Sequence, residues 1–144
     1  MPNDEHYRKL ERMYAKAPIN RFFKPELLIC EGEARLEMMV RADFFHTAGS
    51  LHGSVYFKAL DDSAFFAVNS LVEDVFVLTV SFTTHITRPV TEGKITAIGR
   101  VLNQSKRLFV AESQMWDSHQ KLIATGSGTF LRSSIALTPD IGYS

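Results

Sequence analysis

Near the middle of the chain, residues 53–70 predict a helix whose apolar side chains cover nearly its whole circumference. Successive helix positions advance by roughly 100°. On that spacing the polar residues Lys58, Asp61 and Asp62 fall in one narrow sector, with Phe65 between them. A helix that is apolar on almost every side is stable only when other elements enclose it. We therefore expect a sheet that curves around this helix.

The rest of the chain supplies the strands for such a sheet. Alternating or β-branched segments predict strands at 33–41, 75–87, 94–102, 108–116 and 121–132. Short turns join most of the last four, which favours an antiparallel meander. Gly126 and Gly128 interrupt the last strand, as glycines do at a bulge or a close backbone approach. The sequence predicts the α+β class, with a curved antiparallel sheet wrapped around one long helix.

We expect one domain over residues 1–144. Its first 25 residues form an amphipathic helix, capped by Asn3 or Asp4, and a link that begins at Pro18. Residues 133–144 are expected to be a loosely held C-terminal extension.

The composition narrows the function. Sixteen Lys and Arg balance sixteen Asp and Glu, so no overall field attracts nucleic acid. The single cysteine, Cys30, excludes an intrachain disulfide and a cysteine metal cluster. No segment has the length of a membrane span, and the N-terminus lacks a signal-peptide pattern. We expect a cytoplasmic protein without membrane or nucleic-acid partners.

The polar sector of the helix is the first candidate for chemistry. A carboxylate in apolar surroundings is costly unless a partner or a reaction uses it. Lys58 is spaced to reach Asp61 at i+3 or Asp62 at i+4. The sector either faces water, or it faces a crevice in which one aspartate acts as a base or nucleophile.

The start of the same helix is the second candidate. Gly53 lies where free backbone N–H groups and the positive end of the helix dipole can polarise a carbonyl oxygen. His52 can fix the preceding loop or contact a substrate, although a His-Gly pair is also common in ordinary loops and caps.

These residues, with the strands that follow, resemble the hotdog-fold acyl-CoA thioesterases, particularly the phenylacetate-degradation type. That family carries His-Gly-Gly at the start of a central helix and an Asp nine residues after the His, a spacing kept here by His52 and Asp61. His46 stands where the family commonly has Asn, and Ser54 replaces its second Gly. A shift of one residue would select Asp62 instead of Asp61.

The resemblance implies hydrolysis of an acyl-CoA thioester to free acid and CoA, in a dimer or a dimer of dimers. His52 and Gly53 would come from one subunit, and Asp61 and the assisting hydroxyl of Thr79 from its partner. The predicted coenzyme A contacts are Arg88, Lys106 and Arg107.

Two alternatives stay open: a non-catalytic module that binds or senses acyl-CoA, and a hotdog dehydratase acting on hydroxyacyl thioesters. No cofactor or metal is predicted, although His46, His52 and Asp61 are all metal-ligand types.

Overall fold

The computed structural model describes residues 3–144, which form one six-stranded sheet and three α-helices. The helices are α1 (Asp4–Lys16), α2 (Asn20–Phe23) and α3 (Gly53–Asn69). The strands are β1 (Glu26–Cys30), β2 (Glu33–Met39), β3 (Val75–Ile86), β4 (Lys94–Gln104), β5 (Leu108–Trp116) and β6 (Leu122–Ala136). Short 3-10 helices occupy Ala42–Phe44 and Pro139–Ile141.

The strands lie in the order β1-β2-β4-β5-β6-β3, and every neighbouring pair is antiparallel. The predicted meander is correct for β4, β5 and β6 but wrong for β3, which pairs with β6. The link over residues 87–93 is too long for a tight hairpin. Its first two N–H groups, at Thr87 and Arg88, donate to the carbonyl of Ile123, so the link runs past the beginning of β6. β3 thereby becomes one edge of the sheet.

The prediction that α3 is enclosed by a curved sheet is confirmed, and this arrangement is the hotdog fold. The backbone of Ser63 on α3 passes close to Gly99 on β4. A Cβ added to Gly99 would lie 2.3 Å from the Ser63 backbone. The carbonyl of Leu60 accepts hydrogen bonds from two buried hydroxyls, Ser63 at 3.1 Å and Ser113 on β5 at 2.8 Å. These contacts fix the depth of the helix in the sheet.

The two glycines of β6 mark a close approach, as the sequence predicted. A Cβ on Gly126 would lie 2.4 Å from the ring of Phe82, and one on Gly128 would lie 2.6 Å from it. The β3–β6 register is irregular between Thr79 and Ser81, close to this contact. The glycines therefore leave room for an aromatic side chain that lies across β6.

Residues 26–30 are more ordered than the sequence predicted. Asn3 caps α1 as expected, by accepting from the N–H of His6. No strand was predicted over residues 26–30, yet β1 forms a hairpin with β2 through Glu31 and Gly32, where Gly32 supplies a positive φ of 72°.

The prediction that residues 133–144 form a loosely held extension was wrong. β6 continues to Ala136, and Tyr143 donates to Nδ1 of the buried His6 at 2.7 Å. His6 Nε2 donates in turn to the carbonyl of Asn69 at the end of α3, at 2.8 Å. This chain of hydrogen bonds joins the C-terminal segment to α1 and α3. None of the helices among residues 3–144 is long and apolar enough to cross a bilayer.

Candidate active site

Asp61 lies on the side of α3 that faces the beginning of β3. Its Oδ1 accepts a hydrogen bond of 2.8 Å from Thr79 Oγ1. Burial raises the pKa of Asp61 to about 6, against the opposing effect of the Thr79 hydrogen bond. The nearby negative charge of Asp62 raises this pKa further, while Lys58 lowers it. Asp61 is therefore mostly ionised at neutral pH, yet its carboxylate binds a proton more readily than that of an exposed aspartate.

Asp62 has a different environment one residue further along. Lys58 Nζ lies 2.8 Å from its Oδ2, and Tyr14 on α1 donates a hydrogen bond of 2.5 Å to the same oxygen. The ammonium group also lies 5.3 Å from the centre of the Tyr14 ring and 5.2 Å from that of Phe23. Burial, together with Asp62, raises the pKa of Tyr14 far above its usual range, so the hydroxyl keeps its proton. Oδ2 of Asp62 is consequently held by an ion pair with Lys58 and a hydrogen bond from Tyr14.

The two aspartates therefore differ in what they can do. Within residues 3–144, the hydrogen bond from Thr79 is the only one that Asp61 accepts, which leaves Oδ2 available. Asp62 has its charge balanced by Lys58 and a lone pair taken by Tyr14. Of the two candidates that the sequence left open, Asp61 is therefore the one with a carboxylate oxygen that has no hydrogen-bond partner among residues 3–144.

A cavity of about 760 Å³ adjoins Asp61. Its polar lining residues are Asp61 with Lys58, Asp62 and Tyr14 and, in the surrounding segments, Lys16, Asn20 and Asp140. The remaining walls are mostly apolar and come from α1, the link at residues 17–20, α3, Phe76 of β3, Ile135 of β6 and the C-terminal segment 139–142. The cavity gives Asp61 access to a ligand larger than water.

The beginning of α3 lies elsewhere on the molecule. His52 is the N-cap residue, and its Nδ1 accepts from the N–H of Ser54 at 3.0 Å and lies 2.8 Å from Ser54 Oγ. Since Nδ1 is an acceptor, the neutral ring carries its proton on Nε2. The N–H of Gly53 is among the first helical groups that lack an intrahelical acceptor. The helix therefore begins with one free amide beside a fixed imidazole.

His46 lies next to this helix start, with its ring centre 6.5 Å from that of His52. Its two nitrogens contact its own turn: Nδ1 accepts from the N–H of Ala48 at 3.1 Å, and Nε2 lies 3.0 Å from Ser50 Oγ. In residues 3–144 no group of three His, Cys, Asp or Glu side chains is placed to hold a metal ion.

A single chain does not bring all the predicted residues together. Gly53 and Asp61 are eight residues apart on one helix, which is about 12 Å along its axis. Arg88 follows β3 at one end of the sheet, whereas Lys106 and Arg107 lie in the β4–β5 turn at the opposite end. Within residues 3–144 the predicted residues therefore lie in separate places: Asp61, Asp62 and Thr79 in one, His46, His52 and Gly53 in a second, Lys106 and Arg107 in a third, and Arg88 in a fourth.

Sequence reasoning missed Tyr14 and the cavity walls. Tyr14 belongs to the apolar face of the amphipathic first helix, and nothing in its spacing identifies Asp62 as its partner. Of the aromatic residues on α3, Phe65 and Phe66 line the cavity, whereas Tyr56 is buried and Phe57 is exposed.

An antiparallel sheet curved around one central helix defines the hotdog class of folds, and here that helix carries a partly desolvated carboxylate. The family profile of the Thioesterase superfamily matches residues 48–124, which is more than half of the chain. A protein of Saccharolobus solfataricus named "Putative esterase" is 30% identical over 101 residues, covering 70% of this chain and 67% of the relative. The chain belongs to the thioesterase superfamily.

Solved structures agree in fold. The E. coli PaaI protein from the phenylacetic acid degradation operon has a TM-score of 0.84 at 23% identity, with 94% of this chain and 98% of that chain covered. A thioesterase of Haemophilus influenzae has a TM-score of 0.76 at 20% identity, covering 83% and 85%. The resemblance inferred from His52, Asp61 and the strand order is thus confirmed at the level of fold and superfamily.

Proposed function

We propose that the protein hydrolyses the thioester of an acyl-CoA, with Asp61 as the general base. The observation that carries this proposal is the environment of Asp61, a partly desolvated carboxylate held by Thr79 with one oxygen free beside a cavity. Its pKa of about 6 suits a base that must be ionised at neutral pH and still take up a proton readily.

The reaction conserves atoms and charge as follows. Asp61 Oδ2 removes a proton from water while the water oxygen bonds to the thioester carbonyl carbon. The carbonyl oxygen becomes an oxyanion, which a backbone N–H stabilises. The intermediate then collapses, the C–S bond breaks, and the carboxyl proton passes to the leaving sulfur. The products are the free acid and CoA.

We further propose that the oxyanion donor is the Gly53 N–H of a second copy of the chain. The separation of about 12 Å along α3 prevents Gly53 and Asp61 of one chain from reaching the same carbonyl group. A homodimer removes this obstacle if the beginning of one α3 lies opposite Asp61 of the other. His52 would then stand beside the bound thioester, with Nε2–H as a donor.

The two edges of the sheet support such a dimer. At the β1 edge, the backbone of Ile29 is bonded to side chains of α1: its N–H donates to Glu11 at 2.7 Å, and Arg8 donates to its carbonyl at 2.6 Å. At the other edge, β3 has twelve residues and only β6 as a strand neighbour. Leu78 and Val80 on this strand are 46% and 57% exposed. A long apolar edge strand is a template for pairing with another strand.

Antiparallel pairing of two β3 strands would also bring opposite ends of the two sheets together. Arg88 of one subunit would then lie on the same side as Lys106 and Arg107 of the other. This arrangement would group the three predicted contacts for the coenzyme A phosphates.

The first test is release of free thiol from a panel of acyl-CoAs, with Gly53→Pro and Gly53→Ala compared. Proline is tolerated at the first helical position but has no N–H, so it should lower kcat by about 100-fold. Alanine keeps the N–H, and its Cβ would make an ordinary 3.4 Å contact with Ile86, so turnover should remain close to wild type. Binding of acyl-CoA without thiol release would instead support the sensing module, and loss of water from a hydroxyacyl-CoA would support the dehydratase.

Mixing two inactive variants tests the shared site. Gly53→Pro and Asp61→Asn chains, unfolded and refolded together in equal amounts, should regain about a quarter of the wild-type activity. Half of the random dimers are mixed, and each mixed dimer has one of its two sites intact. A mixture as inactive as its components would contradict the two-chain site.

A further inference from the structure

We propose that the cavity beside Asp61 holds the acyl chain, and that it selects medium- and long-chain acyl groups over short ones. This inference rests on the proposed function, because it names the substrate class of the same site. The cavity of about 760 Å³ is within the range of pockets that enclose a drug-sized ligand. An acetyl group would occupy only a small part of it.

The chemistry of the walls identifies what the cavity can hold. Its apolar lining includes Met13, Phe65, Phe66, Phe76 and Ile135. The ionisable groups next to Asp61 are already paired with each other, since Lys58 and Tyr14 both contact Asp62. Three further polar residues, Lys16, Asn20 and Asp140, line the cavity outside this cluster. Because apolar side chains form most of the lining, a hydrocarbon chain would gain by leaving water there.

Much of the cavity wall lies outside the segment that the superfamily profile matches. The superfamily profile matches residues 48–124. Residues 13–20 and 135–142, which form much of the cavity, lie outside that range. The preference for an acyl group therefore depends on these two segments as well as on α3.

Hydrogen bonds hold the two segments in place. Arg12 Nε donates to the carbonyl of Ser144 at 2.7 Å, and Tyr143 is bonded to His6. Gly142, at a φ of 93°, turns the C-terminal segment toward α1, where a Cβ would lie 3.4 Å from Cα of Met13. The cavity is thus a preformed space between α1, α3 and the C-terminal segment. Few protein segments therefore need to become ordered when an acyl chain enters it.

The expected selectivity follows from the burial of methylenes. Each buried methylene favours binding by about fourfold. If that gain is realised in the transition state, kcat/KM should rise by at least about 100-fold from acetyl-CoA to octanoyl-CoA. The rise should stop once the cavity is filled.

The test combines this chain-length series with two phenylalanine substitutions on the same segment. Ala17 lines the cavity, whereas Ala15 is exposed on α1 and lies outside it. Ala17→Phe should lower the ratio of kcat/KM for dodecanoyl-CoA to that for butyryl-CoA at least tenfold, since the added ring occupies the space for the distal carbons. Ala15→Phe should leave that ratio unchanged. Ile135→Trp, which narrows the cavity from β6, provides a second variant if Ala17→Phe does not fold.

The outcomes separate this inference from the proposed function. Thiol release with a chain-length profile that is flat or favours acetyl-CoA would overturn the acyl-chain site and leave the hydrolase proposal intact. An unchanged ratio in folded Ala17→Phe and Ile135→Trp would do the same. Absence of hydrolysis with every acyl-CoA would instead overturn the proposed function, and this inference with it.

Discussion

Replacement of Asp61 by asparagine should abolish turnover and at the same time stabilise the protein at neutral pH. Burial raises the pKa of this carboxyl from 3.8 to about 6, so the folded state holds its proton more tightly than the unfolded state does. Stability is therefore greatest below the unfolded pKa and decreases as the pH rises through the folded value. Asparagine carries no charge to desolvate and keeps an oxygen that can accept from Thr79.

The size of the effect follows from the two pKa values. The difference between 3.8 and about 6 corresponds to about 3 kcal/mol of unfolding free energy, lost by the wild type once Asp61 is fully ionised in both states. About 2 kcal/mol of this loss falls between about pH 4.5 and about pH 7.5. The advantage of Asp61→Asn over the wild type should increase by that amount across the same interval.

Urea unfolding of the wild type and Asp61→Asn at the two pH values measures this difference. All samples should have the same protein concentration, because the stability of an oligomer depends on concentration. Asp62→Asn is the matched control. It removes the partner of Lys58, and the two side chains are only 11% and 19% exposed. Breaking such a pair should destabilise the protein by at least about 2 kcal/mol at neutral pH.

Opposite signs for two neighbouring Asp→Asn changes would be difficult to obtain from any other arrangement. If Asp61→Asn destabilises the protein as much as Asp62→Asn does, or if its advantage does not grow with pH, Asp61 is not a desolvated carboxylate. A substantial remaining turnover in Asp61→Asn would refute its role as the base.

Two further substitutions probe neighbouring contacts. Thr79→Val removes the hydrogen bond that lowers the pKa of Asp61, so the acid limb of the kcat/KM profile should move from about pH 6 to higher pH, while Thr79→Ser should restore it. A pH–rate profile unchanged in Thr79→Val would show that the hydroxyl does not act on Asp61. Gly99→Ala places a Cβ 2.3 Å from the backbone of Ser63 and should lower the free energy of unfolding by at least about 2 kcal/mol in urea, whereas Gly53→Ala, with its nearest contact at 3.4 Å, should change it little. Equal stabilities of the two alanine variants would mean that α3 does not lie directly on β4.

The central helix and its enclosure could be predicted because they depend on local pattern. Residues 53–70 are apolar on nearly every side, and the structure places α3 at Gly53–Asn69. The neighbours of a strand depend on long-range contacts instead. Nothing in residues 75–87 indicates that β3 pairs with β6 and forms the edge, and this position is what exposes Leu78 and Val80.

β1 was missed for a local reason. Four of its five residues, 27–30, are apolar and show no alternation, so its sequence lacks the usual pattern of a half-buried strand. The C-terminal segment was missed because its order depends on partners distant in sequence, such as the bond from Tyr143 to His6.

The choice between the two aspartates shows most clearly what the sequence left undecided. Lys58 is spaced to reach either carboxylate, and the spacing from His52 favoured Asp61 only by resemblance. In the structure Tyr14, from a helix more than forty residues earlier, donates to Asp62 and also lies beside the ammonium group of Lys58. Lys58 is thereby kept with Asp62. Had the ammonium paired with Asp61 instead, the pKa of that carboxyl would fall and it would be a weaker base.

Two adjacent carboxylates can act differently when their surroundings differ. Here the difference is produced by α1, which supplies Tyr14 to one aspartate and leaves the other to Thr79 and the cavity. The same helix also forms a wall of that cavity through Met13. The N-terminal segment, which lies outside the superfamily match, would therefore determine both which carboxylate reacts and which acyl groups reach it.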